Sequence, residues 1–271
     1  MCVPEGEEAV ASQSFVCLFY YIARPGRYDL PLLHTRARVL SVTLGIPNIN
    51  KQTAEHSFVV GTTKNQSSSS FIPRKVLGKF MHISDQPLKR PNGKTLVFFM
   101  GAGFCPFCAS ERWAIVRALS NFGSWQGIVE TASADHDEKY LNIPTVNFAN
   151  AIYTSDHVQF VGRETADRNF EPEQELDERD YEILDAFNPD QIIPFLLIDG
   201  QFMQAGSGYS PQLLEGMDHA KVKAELANPD SSVGKAIRSE AENITALVCK
   251  SINGKASVCD SESIKTLAGK T

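Results

Sequence analysis

Residues 96–100 form an unbroken apolar run, the pattern of a strand buried on both faces. Small residues at Gly101, Ala102 and Gly103 make a turn, and from Trp113 onward apolar side chains recur at Val116, Ala118, Leu119 and Phe122, close to helical spacing, with Gly123 as the stop. Cys105-Pro106-Phe107-Cys108 therefore falls where a buried strand hands over to a helix N-terminus.

The rest of the chain from residue 71 alternates between strand and helix patterns. Residues 71–80 read as a short helix and Asn92-Gly93 as a turn feeding the first core strand. Residues 127–131 and 145–149 suit a second and a third strand around a polar loop at 133–142, and residues 158–161 add a further short one. Residues 164–185 carry ten acidic side chains against Arg168 and Arg179, with Leu176, Ile183, Leu184 and Phe187 at helical spacing; this reads as an amphipathic helix with a solvated acidic face. Pro194 then heads an apolar run that stops at Asp199-Gly200, a hairpin signal. Ser210-Pro211 opens a helical turn, and helices are expected over 218–227 and 233–251, the second with a stripe at Ile237, Ala241, Ile244, Leu247 and Val248.

Residues 1–70 read differently. The apolar runs at 15–23 and 39–49 are too short to span a bilayer, and the first follows acidic rather than basic residues, so neither is a clear transmembrane segment or signal peptide. Asn65 to Ser70 is a polar, serine-rich linker. The expected division is a tail and linker over 1–70 and an α/β domain over 71–271.

With 271 residues, 42% of them apolar, the chain can bury a sizeable core, and its net charge of −6 gives no basic footprint for nucleic acid. The cysteines stand at 2, 17, 105, 108, 249 and 259. Cys249 and Cys259 bracket the turn-like Asn253-Gly254 and either form a structural disulfide or remain two thiols; a disulfide would favour an extracytoplasmic location, its absence a cytoplasmic one. The histidines show no metal-like spacing with any cysteine pair, so no metal site is expected, and thiol–disulfide exchange by a CxxC needs no external cofactor.

The position of the CxxC carries the chemistry. Free N–H groups and the positive end of a helix dipole stabilise a thiolate, the nucleophile of disulfide exchange, so Cys105 is expected to be the attacking, more exposed and more acidic thiol. Cys108, within the first turn and against the strand, is the resolving one. The motif alone also fits half a zinc site or an incidental pair.

The CxxC with the downstream Ile193-Pro194 resembles the thioredoxin superfamily, in which such an X-Pro pair with a cis peptide bond faces the CxxC. That resemblance makes Pro194 the cis-proline and places Ile193, Pro106 and Phe107 at a substrate-binding edge. The stretches GAGFCPFCASERWAIVRALSNFG, IPFLLIDGQF, GSGYSPQLLEG, ANPDSS and ENITALVCKSINGKASVC are together similar to one thioredoxin-like family, mainly archaeal, catalogued as domain of unknown function 929. The resemblance covers roughly residues 90–260. It implies a thioredoxin-like fold with a helical insertion before the cis-proline strand and extra C-terminal helices, and no settled substrate.

The expected activity is thiol–disulfide exchange with the thiols or disulfides of protein partners. The alternative is a non-catalytic thioredoxin-like binding or scaffold protein with a structural CxxC. A peroxidase would need a peroxidatic motif around Cys105 that the sequence lacks. One departure from well-studied thioredoxins stands out: those carry a buried Asp on the strand before the CxxC, whereas residues 96–100 hold no ionisable group. Glu111 and Arg112, the nearest charges, read as a surface pair.

Overall fold

The structure, a computed structural model, describes residues 71–88 and 92–271. The expectations for the N-terminal tail, its apolar runs, Cys2, Cys17 and the serine-rich linker lie outside the described residues.

In chain order the elements are β1 (Arg74–Lys75), β2 (Met81–His82), β3 (Thr95–Gly101), α1 (Pro106–Leu119), β4 (Gly123–Gln126), β5 (Val129–Ala132), β6 (Pro144–Asn147), β7 (Ile152–Ser155), β8 (Val158–Glu164), α2 (Glu178–Phe187), β9 (Phe195–Ile198), β10 (Phe202–Ala205), α3 (His219–Ala227), α4 (Ser232–Ser251) and α5 (Glu262–Ala268), with 3-10 turns at Pro211–Leu214 and Ser257–Asp260. Among the described residues this is a mixed α/β architecture. Its main sheet has the order β1-β2-β10-β9-β3-β8, in which β3 and β8 run parallel and every other neighbour is antiparallel.

Every residue of β3 is buried, which explains why its sequence shows no alternation. Its neighbours fix the site. On one side the register sets Gly101 opposite Glu164, the last residue of β8; on the other it sets Met100 opposite Phe195, so that Pro194 falls level with Gly101. The Ile193-Pro194 peptide bond is cis. The β9–β10 hairpin turns through Asp199 and Gly200, both with positive φ. Helix α1 packs against α4, and both join β3 and β9 in one hydrophobic core.

Several sequence expectations are corrected. Residues 71–80 form no helix: Gly78, at φ +51°, breaks the run, and the segment folds into β1, a turn and β2 at the sheet edge. The acidic stretch is helical only from Glu178. Pro172 interrupts it, and Arg163 and Glu164 belong to β8, while the helix proper starts where Asp177 and Asp180 form a reciprocal cap. The second and third expected strands are β5 and β6, which pair with each other and stay out of the main sheet. The short strand expected at 158–161 is the seven-residue β8 beside β3. The hairpin, a helix before it and the C-terminal helices occur as expected. Asp218 caps α3 and Ser231 caps α4.

Cys249 and Cys259 are joined in a disulfide with Cα atoms 5.5 Å apart. The bond ties the last turns of α4 to the 3-10 turn before α5. Among the described residues no helix is long and apolar enough to cross a membrane.

Candidate functional site

The turn after β3 is pinned before the CxxC begins. Gly103 N–H donates to Ala166 O at 2.6 Å and Ala134 N–H to Phe104 O at 3.0 Å. A Cβ on Gly103 would lie 2.8 Å from the backbone of Asp167, so only glycine fits this crossing. Cys105 follows as the N-cap of α1 with extended backbone, and Pro106 takes the first helical position.

The Cys105 sulfur accepts the Cys108 backbone N–H at 3.3 Å. It thus takes the place a Ser or Asp oxygen usually fills at a helix start, where a thiolate meets unpaired N–H groups and the helix dipole. Both cysteines are free thiols. Cys105 is 5% exposed and Cys108 fully sealed, so the expected order of accessibility holds, although Cys105 is itself buried. Burial pushes the Cys108 thiol well up, and a hydrogen bond to Cys105 and the charge of Cys105 push the same way; Arg112 and the Ala102 N–H act against them. A thiol so buried favours its neutral form.

The remaining expected residues divide by exposure. Pro106, Ile193 and Pro194 are buried, the carbonyl of Pro194 accepting the Gly206 N–H at 2.8 Å, while Phe107 is half-buried with its ring 6.1 Å from that of Tyr140. Phe170, stacked on Phe104 at 4.5 Å, adds a partly exposed ring beside the CxxC turn.

Glu111 and Arg112 are not a surface pair. Both are fully buried and each has its own partner elsewhere in the fold. Arg112 Nε donates to Glu164 Oε1 at 2.8 Å, and its Nη2 donates to Glu164 Oε2 at 2.5 Å and to Ala102 O at 2.8 Å. Its Nη1 is buried with no hydrogen-bond partner. The guanidinium carbon lies 5.7 Å from the centre of the Phe99 ring.

Glu111 points to a second buried cluster. Its carboxylate accepts Gln204 Nε2 at 3.1 Å and Gly208 N–H at 2.8 Å. Burial and then the charge of Glu240 raise its pKa to about 8, and burial likewise raises Glu240. Two acceptors in this cluster, Gln204 Oε1 and Glu240 Oε1, have no partner. Gln204 also hydrogen-bonds to Glu240 in the sense that favours the carboxylate, against the effect of burial. Tyr209 closes the cluster by donating its hydroxyl to Ser110 O.

The sequence did hold a signal for this burial. Of the residues of α1, only Glu111, Arg112 and Arg117 are charged, too few to build a solvated face, so the helix reads as covered on more than one side. Among the described residues, no three His, Cys, Asp or Glu side chains stand together in a way that could hold a metal ion.

Residues 79–175 match the model of a protein family described as Domain of unknown function (DUF929). The expected resemblance holds over that stretch, which contains the CxxC, Glu111, Arg112 and Glu164 and stops before Pro194 and the C-terminal helices. No curated protein and no solved structure matches the chain.

Proposed function

We propose that this chain with a DUF929-like stretch is a thiol–disulfide oxidoreductase built on a thioredoxin-like fold. The observation that carries the reading is the N-cap position of Cys105, whose free sulfur accepts the Cys108 N–H at the start of α1. Support also comes from the arrangement around it: β3 leads into the CxxC, β8 runs parallel on one side, and β9, entered through a cis-proline, runs antiparallel on the other.

In this reading the Cys105 thiolate attacks a substrate disulfide, forming a mixed disulfide and releasing one substrate sulfur. Cys108 then bonds to the Cys105 sulfur as the bond from Cys105 to the substrate breaks, and its proton passes to the departing sulfur. The dithiol has lost two electrons and two protons, and the substrate disulfide has gained them. Run backwards, the same steps oxidise a dithiol partner. Phe107 and Phe170 offer apolar surface beside Cys105, which suits a protein substrate, and Ile193 and Pro194 shape the neighbouring edge.

The low exposure of Cys105 favours one other reading, a thioredoxin-like binding or scaffold protein whose CxxC is structural. A trapping experiment separates them. Cys108→Ser should accumulate mixed disulfides with partner proteins, and Cys105→Ser should trap little. If the wild type exchanges no disulfide and neither variant traps a partner, the scaffold reading replaces the enzymatic one.

A further inference from the structure

The unpartnered Nη1 of Arg112 is the unusual feature of the site. A guanidinium with every nitrogen in use would be a closed structural strut; here two nitrogens are fixed and the third is sealed from water with nothing to bind. Such an orphan is costly unless a charge arrives to meet it.

The surroundings show where that charge would come from. Cys108 and Arg112 stand one turn apart on the same face of α1. Both heads converge on the end of β3: Arg112 Nη2 holds Ala102 O, while a Cβ on the adjacent Gly101 would lie 3.2 Å from the Cys108 sulfur. Glu164, opposite Gly101 in the register, fixes the guanidinium from the other strand.

We propose that Arg112 is a positioning residue for the resolving step, held by Glu164 and Ala102 so that its charge and its free Nη1 face the negative charge that develops on Cys108. The inference rests on the oxidoreductase reading and adds to it a source of charge stabilisation that residues 96–100 do not provide. Arg112 takes up no proton in the step. As Cys108 bonds to Cys105, the proton of Cys108 leaves with the substrate sulfur, and Arg112 offsets the burial that otherwise keeps Cys108 neutral. Negative charge on Cys108 and Cys105 acts back on Arg112.

The test follows reduced full-length protein mixed with oxidised glutathione, quenched with acid at intervals and weighed by mass spectrometry. It gives separate rates for formation of the Cys105 glutathione adduct and for its conversion to the Cys105–Cys108 disulfide. In the double variant Arg112→Gln, Glu164→Gln, both charges are gone and two amides remain to hydrogen-bond. Its adduct should convert at least threefold more slowly relative to formation, because each unit of rise in thiol pKa costs about tenfold in thiolate and returns roughly threefold in nucleophilicity. Glu164→Gln alone leaves the Arg112 charge unopposed and should convert the adduct faster than wild type. A merely loosened fold would not move the two variants in opposite directions, and either one decides the matter if the other fails to fold. Conversion at the wild-type rate in a folded variant would overturn the role of Arg112 while leaving the enzyme reading intact. A wild type that never forms the adduct would remove both.

Discussion

Arg112 and Glu164 meet through two hydrogen bonds, at 2.8 and 2.5 Å, with neither side chain exposed to solvent. Removing one member strands the other as an uncompensated buried charge, which costs about 3–5 kcal/mol, whereas exchanging both for apolar residues is often close to neutral. Arg112→Met should therefore lower the unfolding free energy by about 3–5 kcal/mol in urea titrations, and Arg112→Met with Glu164→Met by distinctly less. Equal losses would mean that the pair behaves as an exposed one.

The buried carboxyl cluster sets a pH dependence. Glu111 is raised to about 8 from an ordinary value of 4.5, by burial and then by Glu240. The folded state thus binds the proton more tightly than the unfolded state, so its contribution is fully present below about pH 4.5 and is lost as pH rises towards 8. Thermal melts should fall by about 5–10 °C between pH 6 and pH 8.5, corresponding to about 2–3 kcal/mol. Glu111→Gln should flatten the slope. An unchanged slope in that variant would place the titration elsewhere.

Gly208 is a packing constraint on the same cluster. A Cβ there would stand 2.0 Å from the carboxyl carbon of Glu240, and the Gly208 N–H already serves Glu111. Gly208→Ala should destabilise the protein by about 1–3 kcal/mol, the usual cost of forcing extra volume into a packed interior. Gly216, with open space around it but positive φ, would show only backbone strain on the same substitution.

The Cys249–Cys259 disulfide closes a loop with a sequence separation of 10. The double variant Cys249→Ser, Cys259→Ser should lose about 2–4 kcal/mol of stability measured by denaturant unfolding. Among the described cysteines of the native wild type, Cys105 and Cys108 should be the pair that reacts with a soluble disulfide reagent, with Cys105 forming the mixed disulfide first.

Much of this architecture was legible in the sequence because local rules coincide with the fold. The run at 96–100 is apolar throughout because both faces of β3 are buried in the core, and the hairpin at Asp199-Gly200 is dictated by two left-handed residues. The cap at Ser210 is read from side-chain chemistry, and the helices that Asp218 and Ser231 cap are read as spans without their caps. What was not legible depends on distant segments. Glu111 is buried by Gln204 and Gly208 on the far side of the hairpin, and Arg112 by a strand 52 residues away. No local window shows those contacts, so the sparse charge of α1 signals burial without saying what Glu111 and Arg112 meet. The edge strands β1 and β2 were missed for the same reason, since two-residue strands exist only through their partner β10.

The parallel pairing of β3 and β8 carries an implication for tolerance to insertion. Because Gly101 is matched with Glu164 through an unbroken seven-residue register, β8 acts as a ruler that delivers one carboxylate to one guanidinium. Adding or deleting a single residue within β8 would move that carboxylate by about 3.3 Å and turn it to the opposite face of the sheet. The length of β8 is thus bound to the pairing of Glu164 with Arg112, and a change of length in the polar loop at residues 133–142 would instead act on the bond from Ala134 N–H to Phe104 O that pins the turn before α1.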